Sequence, residues 1–286
     1  ATSIQAVRIV WVKRWKREDM GLSLVEKFFV YDLFLLKFRM PICCDFVLLF
    51  TWWFNSFYMK TPYIFAKRFV AGESYDVAEK KVQRINQKRI RVTLDLLGEN
   101  IKDATTAAET VDAYIELLEQ IKASTLDSSI SVKLTMMGLD ISEEVCYANL
   151  SRLLDTAKAH NQFVRIDMEG SDYTQATIDL FKRALKTYQG HVGIVLQAYL
   201  HRTEKDVADL AALGADIRLC KGAYKEPANI ALQSMDDIRA AYKEYAKVLI
   251  EKTAFPRMAT HDGSLVTWLQ EYATSEGVAK DRFEFQ

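Results

Sequence analysis

The chain has no long uncharged apolar run, few turn-forming residues and no excess of charge of either sign. Its 286 residues include only 11 glycines and 4 prolines, and neither clusters in a way that would mark a flexible linker between domains. Thirty-eight basic residues balance thirty-eight acidic ones. With no net field and no stretch of Lys and Arg interleaved with aromatics, nucleic acid is not an expected partner. The four cysteines, Cys43, Cys44, Cys146 and Cys220, lack CxxC spacing, and the adjacent pair cannot easily bridge internally. That pattern fits a reducing compartment and offers no structural zinc site. GxGxxG, GxxxxGK[ST] and HExxH are all missing. Their absence removes the dinucleotide fingerprint, the phosphate-cradling loop and the zinc-protease helix.

What is present is apolar bulk. Half the residues are hydrophobic, enough for one large core at a size where a single (β/α) barrel of about 250 residues is ordinary. Two small domains are the alternative. The first sixty-odd residues differ from the rest: they hold Trp11, Trp15, Trp52 and Trp53, four of the five tryptophans, and two apolar runs, Phe28–Phe38 and Phe46–Phe54. Asp32, Lys37 and Asp45 interrupt these runs, and each is shorter than the about 20 apolar residues that span a bilayer. The basic start (Arg8, Lys13, Arg14, Lys16, Arg17) is followed by no small-residue cleavage site. Peripheral membrane contact is one reading of this leader. The plainer one is an atypical segment that packs against the domain or stays poorly ordered.

From Ser74 onward, strand-like and helical segments alternate at intervals of about 30–40 residues, the βαβ rhythm of a parallel sheet or barrel. The strand readings are Val92–Leu97, Ser129–Thr135, Phe163–Glu169, Val192–Tyr199, Ala215–Lys221, Arg257–His261 and Arg282–Gln286, seven in all. Between them the periodicity predicts helices over Ala104–Ala123, Glu143–His160, Asp172–Tyr188, Thr203–Leu213, Met235–Lys252 and Leu265–Thr274. Asp172 precedes one helix as a capping residue, and Thr203 with Asp206 opens another. Seven strands with helices between them and no linker favour a barrel over two domains.

Barrel strands normally turn branched apolar residues toward the axis. Here the axis face is polar. Arg165, Asp167 and Glu169 alternate with Val164, Ile166 and Met168; Arg218 and Cys220 alternate with Ile217 and Leu219. Ser131, Lys133 and Thr135 oppose Val132 and Leu134, and Gln197 and Tyr199 oppose Leu196 and Ala198. Unpaired buried charges cost several kcal/mol, so these groups must pair with one another or with a polar ligand. Asp167, Gln197 and Arg218 fall near the C-terminal ends of their strands, where barrel enzymes hold their active sites. Each also has a structural reading. Asp167 alone would be an ion-pair or loop-capping residue, and Arg165 reads as the structural partner of Asp95 or Glu169. Lys133 and Lys221 read as solvated strand ends or as a Schiff-base lysine of an aldolase-type barrel. His261 is equally a hydrogen-bonded structural histidine or a cofactor contact, and Cys220 a small buried apolar residue.

The segments SVKLTMMGLD, FVRIDMEGSDYT, VGIVLQAYLHRT, DIRLCKGAYKEP and MATHD resemble, in order and spacing, the successive strand ends of the proline dehydrogenase family, monofunctional bacterial type. RFVAGES and VTLDLLGE extend the likeness from about Arg68 to Gln286. The resemblance implies a distorted (β/α)8 TIM barrel of the α/β class that holds FAD and oxidises L-proline to 1-pyrroline-5-carboxylate, the first step of proline catabolism. Electrons would pass to a membrane quinone, in a cytoplasmic enzyme or one peripheral on the inner face of the membrane. Carried over by position, Asp167 and Arg218 match catalytic residues and Lys133 and Tyr224 substrate contacts. Met168, Gln197, Arg218, Lys221, Gly222, Ala223, Thr260 and His261 match flavin contacts. The family pattern continues with an eighth strand and a helix bearing an arginine pair for the substrate carboxylate. This chain ends at Gln286, so a barrel with seven strands present, incomplete at the C-terminus, is expected over residues 67–286, with 1–66 as a leader of unassigned role. A catalytically incompetent fragment is the alternative to an active enzyme.

Overall fold

The computed structural model describes residues 7–12, 70–72, 74–279 and 281–286. The two apolar runs of the leader lie outside the described residues. The strands are β1 (Val7–Val12), β2 (Val70–Gly72), β3 (Arg91–Leu96), β4 (Ser128–Val132), β5 (Val164–Ile166), β6 (Val192–Gln197), β7 (Asp216–Cys220), β8 (Arg257–Met258) and β9 (Glu284–Phe285). The helices are α1 (Tyr75–Asn86), α2 (Ala104–Ala123), α3 (Glu143–Ala159), α4 (Ser171–Tyr188), α5 (Thr203–Ala212), α6 (Met235–Lys252) and α7 (Gly263–Ser275). One sheet runs β2-β1-β3-β4-β5-β6-β7-β8-β9. Strands β3 to β9 are parallel in sequence order, the expected seven. The leader adds β1, which pairs antiparallel along the edge of β3.

The core forms where the alternation places it. Leu94, Ile130, Val132, Val164, Ile166, Ile194, Ile217, Leu219 and Met258 are fully buried on the helix-facing side of the sheet. They pack in one cluster with Tyr114, Leu118, Leu150, Leu154, Phe181 and Tyr242 from the surrounding helices. Each such side chain contributes about 1.5–3 kcal/mol of burial. Helix starts are fixed by side-chain caps: Asp103 accepts from Thr106 N at 2.8 Å, Ser142 from Val145 N at 3.2 Å, and Ser234 from Asp237 N at 3.1 Å. Two capping expectations are corrected. Asp172 lies inside the first turn of α4, whose N-cap is Gly170. Thr203 is already helical, and its hydroxyl donates to the Gln197 carbonyl at 2.6 Å instead of capping.

Six of the seven strands, β4 to β9, are shorter than the alternation predicts, and for β4 and β5 one carboxylate supplies the reason. Beyond Val132 the chain winds into a 3₁₀ turn, Leu134–Met137, because the buried Glu169 carboxylate accepts from Thr135 N at 3.1 Å and from the Thr135 hydroxyl. Those bonds offer the backbone an alternative to the ladder. The same event ends β5: Asp167 N still reaches Val132 O at 2.9 Å, and Met168 and Glu169 then leave the sheet.

The axis face holds a layer of buried charge. Arg165 pairs with Asp216, and its Nη1 donates to the Asp216 carbonyl at 2.7 Å and the Ile194 carbonyl at 3.2 Å. The expected partners are thereby corrected: Asp95 takes the Tyr114 hydroxyl at 3.1 Å, and Glu169 is held by Thr135. Arg165, Gly193 and Asp216 stand in one row of β5, β6 and β7. The arginine reaches its partner by passing over Gly193, where a Cβ would overlap the guanidinium and stand 2.7 Å from the Asp216 carbonyl oxygen. Arg257 grips the same carboxylate side-on, Nε to Oδ1 and Nη2 to Oδ2 both at 2.8 Å, and also pairs with Glu284. Phe163 lies 4.8 Å from the Arg165 guanidinium and 5.1 Å from that of Arg257. Burial pushes the Asp216 carboxyl up, but the two guanidiniums overcome it and hold the group down at about 2.

Two predictions follow from this layer. Gly193→Ala should lose about 3 kcal/mol in denaturant unfolding, since breaking a buried pair costs about 3–5 kcal/mol; a loss within the about 0.5 kcal/mol of a neutral surface change would contradict the crossing. The second concerns acid. Because the Asp216 carboxyl is depressed from an ordinary value of about 3.9, its contribution is full above that value and fades as pH falls toward about 2. Unfolding midpoints of Asp216→Asn should therefore lie below wild type at pH 6 and approach it at the acid end.

Candidate active site

Two residues above the lower layer on each strand, the charges are exchanged. β5 with the residue after it reads Arg165-Ile166-Asp167 and β7 reads Asp216-Ile217-Arg218, so each row offers one acid and one arginine with β6 between them. In the upper row Arg218 pairs with Asp167, while Arg218 Nη1 donates to Gln286 Oε1 at 3.2 Å. Asp167 stands just past the end of β5, and Arg218 two residues before the end of β7. Gln197, also buried, donates from Nε2 to the Glu169 carbonyl at 2.9 Å and so ties the end of β6 to the segment after β5. Met168 is buried beside them. The structure brings Asp167 and Arg218 into direct contact and sets Gln197 and Met168 at the same end of the sheet.

Two further groups surround this pair. On one side Lys133 forms an ion pair with Glu99, and Tyr224 Oη donates to Glu99 Oε1 at 3.3 Å. The hydrogen bond from Lys133 holds the Glu99 carboxyl below its ordinary range. Burial, followed by the charge of Glu99, pushes the Tyr224 phenol well up. On the other side Lys221 donates to Asp262 Oδ2 at 3.1 Å, which also takes Arg239 Nε at 2.8 Å. Asp262 caps α7 through Ser264 N at 3.1 Å. Burial raises its carboxyl, but the bonds from Ser264, Arg239 and Lys221 prevail and hold it far down. Thr260 Oγ1 accepts from Asp262 N at 3.1 Å, whereas His261 and Ala223 are exposed at the rim. Gly222 has φ +117°, a left-handed conformation that favours glycine, and a Cβ there would overlap the Tyr199 ring.

Glu99, Asp262 and Glu226 were not singled out from the sequence, although each follows or adjoins a strand end. Glu99 closes the segment LLGE after β3, and Asp262 follows the Thr260-His261 pair. Recesses of about 470 Å³ and about 410 Å³ lie at the opposite, N-terminal end of the sheet, sharing Arg91, Phe163 and Arg257 in their walls. Neither touches Asp167 or Arg218. The charged cluster and the recesses thus lie at opposite ends of the sheet.

Parallel strands in sequence order, flanking helices and a charged, hydrogen-bonded cluster at the C-terminal strand ends define an α/β-barrel enzyme. The proline dehydrogenase family profile matches residues 78–286. Proline dehydrogenase 2 of Bacillus subtilis subsp. natto is 37% identical over 223 residues, covering 78% of this chain and 73% of that protein. Proline dehydrogenase of Deinococcus radiodurans is 34% identical over 225 residues, covering 77% and 73%. Among solved structures, proline utilization A from Bdellovibrio bacteriovorus, inactivated by N-propargylglycine, superposes with a TM-score of 0.72 at 22% identity, over 81% of this chain and 29% of that one. The chain belongs to the proline dehydrogenase family, and it is an oxidoreductase.

The Lys133–Glu99 contact is open to direct test. In Lys133→Met the Glu99 carboxyl should titrate at higher pH than in wild type, back toward the ordinary glutamate range, as followed by NMR of the side-chain carboxyl. An unmoved titration would show that the pair does not form in solution.

Proposed function

We propose that this chain oxidises L-proline to 1-pyrroline-5-carboxylate with FAD as its cofactor and passes the electrons to a membrane quinone. The observation that carries the reading is the Asp167–Arg218 pair at the strand ends of a proline dehydrogenase family member. The donor set suits a flavin dinucleotide. Arg218 on β7 and Lys221, Thr260 and His261 just past β7 and β8 would supply cations and hydrogen-bond donors, and Gly222 leaves the backbone bare after Lys221. Met168, Gln197 and Ala223 would complete the cofactor contacts from the neighbouring strand ends. When bound, the flavin would accept hydride from the proline carbon next to nitrogen.

The protein's own part is electrostatic and positional. Arg218, with Asp167 fixing its direction, would face the developing negative charge, and a preorganised donor there is worth more than one in water. Lys133 and Tyr224, joined through Glu99, would orient the substrate, the lysine toward its carboxylate and the tyrosine ring along its apolar edge. The substrate nitrogen must release a proton before its neighbour gives up hydride, and the nearby carboxylates are Asp167 and Glu99. The aldolase-type alternative loses support, because the family profile and the similar proteins are proline dehydrogenases. In the same reading residues 67–286 form the catalytic barrel and 1–66 a leader whose β1 joins the sheet edge. No described helix is long and apolar enough to cross a membrane. The electron acceptor proposed is a membrane quinone, reached from a cytoplasmic position peripheral on the inner membrane face.

Purified protein reconstituted with FAD should absorb as a flavoprotein and bleach when L-proline is added anaerobically. Arg218→Met should lower kcat by about 10²-fold or more, the usual effect of losing one preorganised donor. Absorbance unchanged by proline would overturn the reading.

A further inference from the structure

The connection between β7 and α6 carries Gly222, Ala223 and Tyr224 and contains no helix or strand. Its far half is pinned to the segment after β6: Leu232 N donates to Tyr199 O at 2.8 Å, His201 N to Ile230 O at 3.0 Å, and Leu200 bridges Ala231. The near half is held differently. Tyr224 reaches Glu99, and Glu226 reaches the first residue of α4: Oε1 accepts from Ser171 N at 2.7 Å and Oε2 from Ser171 Oγ at 2.6 Å. The N-cap of α4 is Gly170, which has no side chain to offer. A carboxylate from another connection therefore does the work of a cap, where the helix dipole favours negative charge.

We propose that Glu226 is a positioning residue for the substrate pocket. By capping α4 it locks the near half of the β7–α6 connection and sets Tyr224 against Glu99 and Lys133. The clamp also joins the chain leaving β5, just past Asp167 and Met168, to the chain leaving β7, just past Arg218. The strand ends that share the Asp167–Arg218 pair are thus tied a second time, from outside. The proposal rests on the reading that Tyr224 lines the proline pocket.

The test must separate positioning from simple helix capping. Glu226→Ala should raise KM for proline about tenfold while kcat stays within about twofold, the signature of lost binding geometry. Hydrogen exchange of the 222–225 amides should quicken by about tenfold. Glu226→Gln, which still presents an acceptor to Ser171 N and an amide to its hydroxyl, should restore both. Ser171→Ala removes one of the two bonds, should fall between, and serves if Glu226→Ala folds poorly. Gly170→Ser in the Glu226→Ala background gives α4 a cap of its own, since a Cβ at 170 meets nothing closer than Glu226 Oε1 at 3.8 Å. That double variant should recover the thermal midpoint but not KM or exchange. Recovery of KM and exchange as well, or unchanged exchange in Glu226→Ala, would overturn the proposal. If wild-type protein fails to respond to proline, the proline reading fails, and the exchange experiment alone decides whether Glu226 fixes the connection.

Discussion

Arg165 and Asp216 meet across an intervening strand, and the sheet is built around that crossing. A guanidinium on β5 can reach a carboxylate on β7 only if β6 leaves room, and Gly193 is the residue in that row. Charges in such a place are expensive to bury, and their cost is met only by near-complete pairing. The layer achieves it: Asp216 takes both Arg165 and Arg257, and Arg257 takes Glu284 on β9. Four strands, β5 to β9 without β6, contribute a charged group. A side chain at 193 would force the row apart and leave charges unpaired.

Above this layer the same two strands repeat the pairing with the signs exchanged. The upper row differs in how fully it is saturated. Asp216 is gripped by two arginines, whereas Asp167 is held by Arg218, which itself also reaches Gln286. The residues around it, Lys133 with Glu99 and Lys221 and Arg239 with Asp262, are ion-paired groups drawn from strand ends, connections and α6. One end of the axis is thus closed by charge that satisfies itself. The other presents paired charge with connections on either side that are held by ion pairs and hydrogen bonds of their own.

Much of this was legible in the sequence. The alternation of Val164, Ile166 and Met168 with Arg165, Asp167 and Glu169 is enough to put charge on the axis face, and strand–helix spacing gives seven parallel strands. Both follow from local periodicity, which a single chain displays directly. The positions of Asp167, Gln197 and Arg218 at one end of the sheet follow as well. What periodicity does not contain is which distant group answers a given charge. Arg165 finds Asp216 rather than Asp95 or Glu169, because the partner is set by strand order and by the gap at Gly193, neither of which is a neighbour relation in sequence. The shortening of β4 has the same origin. Ser131, Lys133 and Thr135 alternate as a strand should, but Glu169 captures Thr135 and turns the chain into a 3₁₀ helix.

The residues that sequence reasoning passed over share one property. Glu99, Glu226 and Asp262 are acids in connections, where charge is ordinarily solvated and carries no periodic signal. In the fold each reaches a group from a different part of the chain: Glu99 reaches Lys133 and Tyr224, Asp262 reaches Lys221 and Arg239, and Glu226 reaches Ser171. Axis residues can direct their chemistry only as well as the connections above them are held. A rigid sheet supplies the first condition through the crossed arginine layer. The second is supplied by these acids, which convert connections of little local structure into fixed walls at the strand ends. The division explains why axis residues announce themselves by pattern while the residues that hold the walls become visible only in three dimensions.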